Sequence, residues 1–399
     1  MLRIAIVVES FPTISETFIT NKVLELCKRG HQVTVFIHRK TTDNKLAELY
    51  NLKAITNLQI VPPAIPKKNI DWVRLLIKKP SVFLHRPTSA MNYKNVSRLK
   101  LLSSVFKNRV FNVIHFEFSA LAIVYTEVIK KLKAVTIVSC RGTAEKVKPL
   151  TMPGRIDQLK KMFSSVDSIH CVSADMEATI LPYCNRPDKI FINRPSIDVA
   201  YFKRSQPYQH SKVLTILSVG RFTFQKGYLT GLLAVKKLKE AGIDFKWLIV
   251  GDGPQTEEII YHIHTLGLEN EVTLMGKKNK VEMIELYHIA NLFLLSSVYE
   301  GIANVVLEAM AMELPVVATK SGGLNEVIGH EQDGMLADVY DHDEIARYLI
   351  FLANDFDRRK IMGEKARQKV LNKFTITRQI NEFEATYLQL VHSKGALIN

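Results

Sequence analysis

Four consecutive apolar residues, Leu292-Phe293-Leu294-Leu295, run through a loop into an apolar helical pattern that stops before Pro315. An apolar run with no polar alternation predicts a strand buried on both faces, and a strand feeding a helix predicts a parallel α/β sheet. The same unit recurs. Residues 4–8 and 31–38 read as strands around a helix that opens at Ser15, runs to Arg29 and stops at Gly30. Such strand–helix–strand units imply right-handed crossovers. Further strands are expected at 113–117, 134–139, 167–173 and 190–192. The pattern restarts at 213–219 and continues through 247–250, 271–274, 315–319 and 335–337. A last helix is expected over 374–392. At 399 residues two domains are expected, and the polar stretch 203–212 marks the joint. The expected division is 1–206, 207–375 and a closing helix in 376–399.

The loop after 292–295 carries the chemistry. Glu300 sits on it, and Glu308 lies about two turns into the following helix, where helical side chains lean back toward the N-terminus. Free N–H groups at the helix start favour an anion. Amide donors for phosphate beside two carboxylates for hydroxyls suit a nucleotide bearing a sugar. Two glutamates so spaced also occur on ordinary solvated helices, so the surrounding order of motifs carries weight. Arg221 and Lys226 follow the strand at 213–219 and suit clamping a diphosphate. Gly322-Gly323 lets backbone approach a ligand closely. His115 and Arg141 stand at strand carboxyl ends, where open α/β sheets bind ligands, although a lone His there is more often a structural donor. Asp341-His342-Asp343 looks like an Asp-x-Asp metal signature, but the helical pattern after it predicts a cap.

Charge divides the chain. Residues 1–210 hold 33 basic and 15 acidic residues, and the remainder holds 21 and 24. Residues 67–109 alone carry eleven basic residues against Asp71, with Trp72 among interleaved apolar residues. This segment reads either as an amphipathic surface on anionic lipid or as a solvated basic face over a core. No nucleic-acid module accompanies the charge, so no nucleic-acid partner is expected. No apolar run reaches the roughly 18–20 residues that span a bilayer. The N-terminus is too soon charged for a signal peptide, and Cys27, Cys140, Cys171 and Cys184 have no metal spacing. These features point to a cytoplasmic protein, peripheral on the inner face of the membrane, with no metal and no cofactor.

Taken together, Gly220-Arg221 with Lys226-Gly227, Val250-Gly-Asp-Gly-Pro254, Glu300-Gly301 with Leu307-Glu308-Ala-Met-Ala, Pro315-Val-Val-Ala-Thr319, and Gly322-Gly323 with Glu326-Val327 resemble the retaining GT-B glycosyltransferases, glycosyl transferases group 1, with their Glu-x7-Glu motif. The match runs over about residues 213–340, and Phe11-Pro-Thr-Ile-Ser-Glu-Thr-Phe-Ile19 resembles the start of an exopolysaccharide, capsule and lipopolysaccharide subgroup. The resemblance implies two facing Rossmann-like domains with a deep cleft and a C-terminal helix crossing back to the first. It implies a metal-independent hexosyltransferase that moves a sugar from a nucleoside diphosphate, UDP-linked, to a hydroxyl of a lipid-linked or oligosaccharide acceptor. Arg221 and Lys226 would hold the diphosphate, Glu308 the ribose and Glu300 the donor sugar, with Gly301, Gly322, Gly323 and Met275 completing the donor site. His115 would face the reacting sugar, and Ser15, Glu16 and Arg141 would serve the acceptor side.

The chain departs from the family at Ile302-Ala303, at Glu313 where Gly is common, and in lacking an early Gly-Gly loop near Ser15 and Glu16. A nucleotide-sugar-binding protein without transfer, and an epimerase on the same fold, are the alternatives.

Overall fold

Strands form where the apolar runs were expected, and every strand pairing among the described residues is parallel. The structure is a computed structural model that describes residues 1–13, 16–38, 44–62, 101–208 and 210–395. The chain forms two compact units. One comprises Met1–Cys171, Glu177–Asn193 and Ile380–Asn399; the other comprises Val172–Met176 and Arg194–Gln379.

The first unit holds β1 (Arg3–Val8), β2 (Gln32–Ile37), β3 (Leu58–Val61), β4 (Val113–Phe116), β5 (Val135–Cys140), β6 (Ser168–Cys171) and β7 (Ile190–Ile192). Their order is β3-β2-β1-β4-β5-β6-β7, so the direction of winding reverses between β1 and β4. The helix after β1 spans Thr17–Lys28 with Glu16 at its cap position, and Ser15 lies outside the described residues. Gly30 stops it at φ 83°. The last helix, Ile376–Ser393, contributes its C-terminal part to this unit. Glu384 receives a hydrogen bond from Arg29 Nη1 (2.8 Å) and lies 2.9 Å from His31 Nε2, and Lys394 Nζ donates to Asp167 (2.7 Å). The return of the helix to the first domain is therefore present.

The second unit holds β8 (Leu214–Val219), β9 (Phe245–Val250), β10 (Val272–Gly276), β11 (Leu292–Leu295), β12 (Val316–Thr319) and β13 (Gly334–Ala337), in the order β10-β9-β8-β11-β12-β13. All four residues of β11 are buried, as an apolar run without alternation requires. Trp247 on β9 is fully buried, and its Nε1–H is satisfied by Ser218 Oγ on β8 (2.9 Å). Ser218 in turn donates to Leu294 O on β11 (2.6 Å). This chain of two bonds ties together the strands flanking the point where the winding reverses, β8 and β11. In such sheets the reversal opens a crevice beyond the strand carboxyl ends.

Asp341 caps the helix His342–Asn354, accepting from Glu344 N–H at 2.8 Å, as expected. Glu313 has φ 59°, a left-handed conformation that costs a side-chain-bearing residue about 1 kcal/mol or more. No helix among the described residues is long and apolar enough to cross a membrane.

Candidate active site

The loops after β8 and β11 meet at the reversal point of the second unit. The β8 loop enters a short turn, Phe224–Lys226, and Gly227 at φ 59° turns it into the helix Tyr228–Glu240. A Cβ on Gly227 would stand 2.2 Å from Ser296 O, so only glycine lets this loop lie against the β11 loop. That approach brings Lys226 Nζ within 2.6 Å of Glu300 Oε1. Ser297 Oγ donates to the same oxygen (2.7 Å), and Gln225 Nε2 donates to Oε2 (3.2 Å) and to Tyr299 O (3.1 Å). Glu300 is 5% exposed, so its carboxylate is held in one orientation by three donors.

Gly322, at φ 64°, and Gly323 close the other side of this loop. A Cβ on Gly322 would sit 2.0 Å from Glu300 O, and one on Gly323 2.2 Å from Gly301 O. Gly323 N–H donates to Gly301 O at 2.8 Å. The paired glycines thus serve close backbone packing between the β11 and β12 loops.

Glu308 stands on the helix Asn304–Ala311. Tyr287 Oη donates to its Oε2 at 2.9 Å. Burial pushes the Glu308 carboxyl up to about 7, against the opposing pull of the Tyr287 bond and the Lys280 charge. Lys280 Nζ lies 3.7 Å over the Tyr201 ring. Met275, at the end of β10, packs on the core beside this helix. Arg221 is exposed, and its guanidinium has no hydrogen-bond or ion-pair partner among the described residues. Among those residues the site therefore presents one free cation, one cation locked to a carboxylate, and a second carboxyl poised near neutrality.

In the first unit the reversal point carries a cavity of about 410 Å³ lined by Glu9, Glu16, Ser119, Arg141 and Glu145 among others. Arg141 is fixed from behind. Its Nη2 donates to Glu117 Oε2 (2.6 Å), its Nε to Glu117 O (3.1 Å), and its guanidinium lies 4.3 Å from the Phe18 ring centroid. Glu145 accepts from Ser119 Oγ and from Gly142 N–H (3.0 Å), so it braces the loop. Burial raises its carboxyl above the ordinary range.

His115 corrects an expectation. It was to face the reacting sugar, but its ring is 0% exposed inside the first unit. Its Nδ1 receives Lys22 Nζ (3.0 Å) and Tyr387 Oη (2.7 Å), which leaves the proton on Nε2 to be donated to Ser139 Oγ (2.8 Å). Ser139 passes its own proton toward His170 Nδ1 (2.8 Å), and His170 Nε2 donates to Asn193 O (2.7 Å). Burial, with Lys22 beside it, holds His115 well below its ordinary value, so the imidazole is neutral. Lys22 also donates to Glu117 Oε1 at 2.7 Å. Burial alone would raise the Glu117 carboxyl, yet the Lys22 and Arg141 charges hold it well below the usual range. Desolvation lowers Lys22 to about 8.

Sequence reasoning missed Gln225, Ser297, Tyr287, Lys22 and Glu117. Gln225 and Ser297 adjoin residues it named, whereas Lys22 and Tyr287 sit on helices whose spacing alone says nothing of a partner. Among the described residues no group of three His, Cys, Asp or Glu side chains is placed to hold a metal ion.

The two parallel α/β units share the GT-B fold of known glycosyltransferases, and the sequence matches support a glycosyltransferase of that type. Residues 202–369 match the family described as Glycosyl transferases group 1, and residues 15–201 match Glycosyltransferase Family 4. The chain is similar to the colanic acid biosynthesis glycosyltransferase WcaL of Salmonella typhimurium, 27% identical over 98% of this chain and 100% of that protein. A 36% identical match to the N-acetyl-alpha-D-glucosaminyl L-malate synthase of Bacillus anthracis spans 37% of this chain and only 39% of that protein. Among solved structures, Alr3699/HepE of Anabaena in complex with UDP and glucose shares the fold at a TM-score of 0.75 and 15% identity, over 97% of this chain and 99% of that one.

Proposed function

We propose that the chain is a retaining hexosyltransferase that moves a sugar from a UDP-linked donor to a hydroxyl of a growing, lipid-linked surface glycan at the inner face of the membrane. The observation that carries the reading is the Lys226–Glu300 pair at 2.6 Å, set where the second sheet reverses its winding. Breaking the glycosidic bond leaves charge on the β-phosphate. Lys226 and Arg221, which has no side-chain partner among the described residues, supply positive charge there, and losing one such donor costs roughly 10²–10³ in rate. With Lys226 drawn to phosphate, Glu300 keeps Ser297 and Gln225 as donors and accepts from donor-sugar hydroxyls. Glu308 Oε2 is taken by Tyr287, which leaves Oε1 for the ribose.

Two cations meet the charge on the leaving diphosphate, so no metal is needed for that task. Attack comes from the face the leaving group departs, with the phosphate taking the acceptor's proton. The acceptor is held in the first-unit cavity by Arg141, Glu16 and Glu9. Similarity to a colanic acid biosynthesis protein along nearly the whole length of both chains supports a surface-glycan acceptor. The neighbouring fold that holds UDP and glucose supports the donor class.

Donor and a polyprenyl-diphosphate-linked glycan are to be incubated with the purified chain, scoring UDP release and the product's anomeric configuration. Transfer should require acceptor and retain configuration. Arg221→Ala orphans no partner among the described residues and should cut turnover at least about tenfold with folding intact. Lys226→Ala should cut it as far, and because it leaves Glu300 with only Ser297 and Gln225 as donors its melting temperature is to be measured beside its turnover. Wild-type turnover in both would refute the site; UDP binding without acceptor-dependent release would leave only a binding protein.

A further inference from the structure

Residues 148–157 expose apolar side chains that the fold has no use for. Leu150 is 83% exposed, Met152 41% and Ile156 38%. All three border one open cavity of about 480 Å³. The short helix Lys148–Thr151 buries none of its residues, and Gly154 at φ 72° ends the turn before the helix Arg155–Ser165. That longer helix docks through Leu159, Met162 and Phe163, leaving Ile156 outward. Lys148 and Arg155 lie within this segment and Lys146, Lys160 and Lys161 within a few residues of it along the chain, with Lys161 paired to Glu127. The nearby acids do little to offset them. Glu145 is buried, Glu127 is already shared by Lys130 and Lys161, and among the described residues Asp157 alone stands free on the segment.

Apolar side chains projecting from a basic rim match the chemistry of an anionic bilayer surface, in which the apolar tips enter the headgroup boundary and the cations meet lipid phosphates. A second copy of the chain fits poorly, because the same rim of cations would face itself. Glu145, on the wall of the first-unit cavity, lies only five residues before Leu150, no more than about 18 Å of chain. A bilayer seated on this segment would thus lie beside the mouth of that cavity.

We propose that residues 148–156 are an interfacial anchor that seats the first unit on anionic lipid through Leu150, Met152 and Ile156, with Lys148, Arg155 and Lys160 against the phosphates. What the anchor serves, delivery of a lipid-linked acceptor, rests on the function proposed above; the contact itself does not.

The full chain is to be floated with vesicles of phosphatidylcholine alone and of phosphatidylcholine with phosphatidylglycerol. Wild type should partition onto the anionic vesicles only. The triple variant Leu150→Ser, Met152→Ser, Ile156→Ser should partition at least about tenfold less while keeping its melting temperature and its UDP-sugar thermal shift. In a Leu150→Trp variant, indole emission should shift to the blue on vesicle binding and be quenched by brominated lipid.

Undiminished flotation of the triple variant, or unshifted emission from the vesicle-bound Leu150→Trp variant, would overturn the anchor and leave adsorption to residues elsewhere, those of 67–109 included. So would wild type that binds neither vesicle, or that dimerises through this face. Loss of transfer activity in wild type with flotation intact would sink the enzymatic reading and leave the anchor standing.

Discussion

Replacing Glu308 by Gln should stabilise the empty protein and weaken its grip on donor, and the two effects should share one pH dependence. Burial pushes this carboxyl from 4.5 to about 7. That displacement corresponds to about 3 kcal/mol against the ionised form, an upper bound because the residue keeps some solvent contact. The native state holds a proton that the unfolded chain has released, so stability falls as pH climbs from 4.5 to about 7, and the full cost is present above that. Glutamine does not titrate, and its amide oxygen can still accept from Tyr287 Oη. The variant's advantage over wild type should therefore widen by up to about 2 kcal/mol between roughly pH 5.5 and 8.5.

In a unit of this size that gap is a melting difference of roughly 4–8 °C, readable by calorimetry across a pH series. Over the same range donor affinity of wild type should rise with pH, as the carboxylate forms and accepts ribose hydroxyls. The variant's affinity should be flat, and at about pH 8 at least about tenfold weaker, since hydrogen bonds to a charged group contribute roughly 1.5–3 kcal/mol. Parallel stability curves for the two proteins, or a variant that melts lower at high pH, would show that Glu308 is not a strained carboxylate waiting for a ligand.

Two further outcomes test the framework. Gly322→Ala should lose about 3 kcal/mol or more and depress transfer, because its φ is 64° and its Cβ would meet Glu300 O at 2.0 Å; chemical denaturation with donor KM measures both. Lys22→Met should destabilise the first unit by about 3–5 kcal/mol by leaving Glu117 short of one cation, and Lys22→Met with Glu117→Gln should recover much of that; additive losses in the double variant would contradict the buried pair.

The strands and most helices were legible because their signals are local. The unalternated run at β11 and the glycine after the Thr17–Lys28 helix each report on the few residues around them. The donor loops were legible for a similar reason, since Lys226 and Glu300 lie on the segments that follow β8 and β11. His115 was legible as a strand-end histidine but not as a buried one. Whether such a ring meets solvent depends on what covers it, and here Phe383 and Tyr387 arrive from a helix that lies 272 positions further along the chain at Tyr387.

Glu313 shows the converse, a side-chain-bearing residue in a left-handed turn that glycine would adopt more easily. Periodicity and punctuation thus determined, from the chain alone, that this is a pair of parallel α/β units with acids and bases at the strand ends. The tertiary structure alone decided which of those groups meet. Lys226 and Glu300 are 74 positions apart, and Lys22 and Glu117 are 95 apart. Their pairing depends on which strands lie side by side and on glycines that let loops touch, and neither is written in the spacing of neighbouring residues.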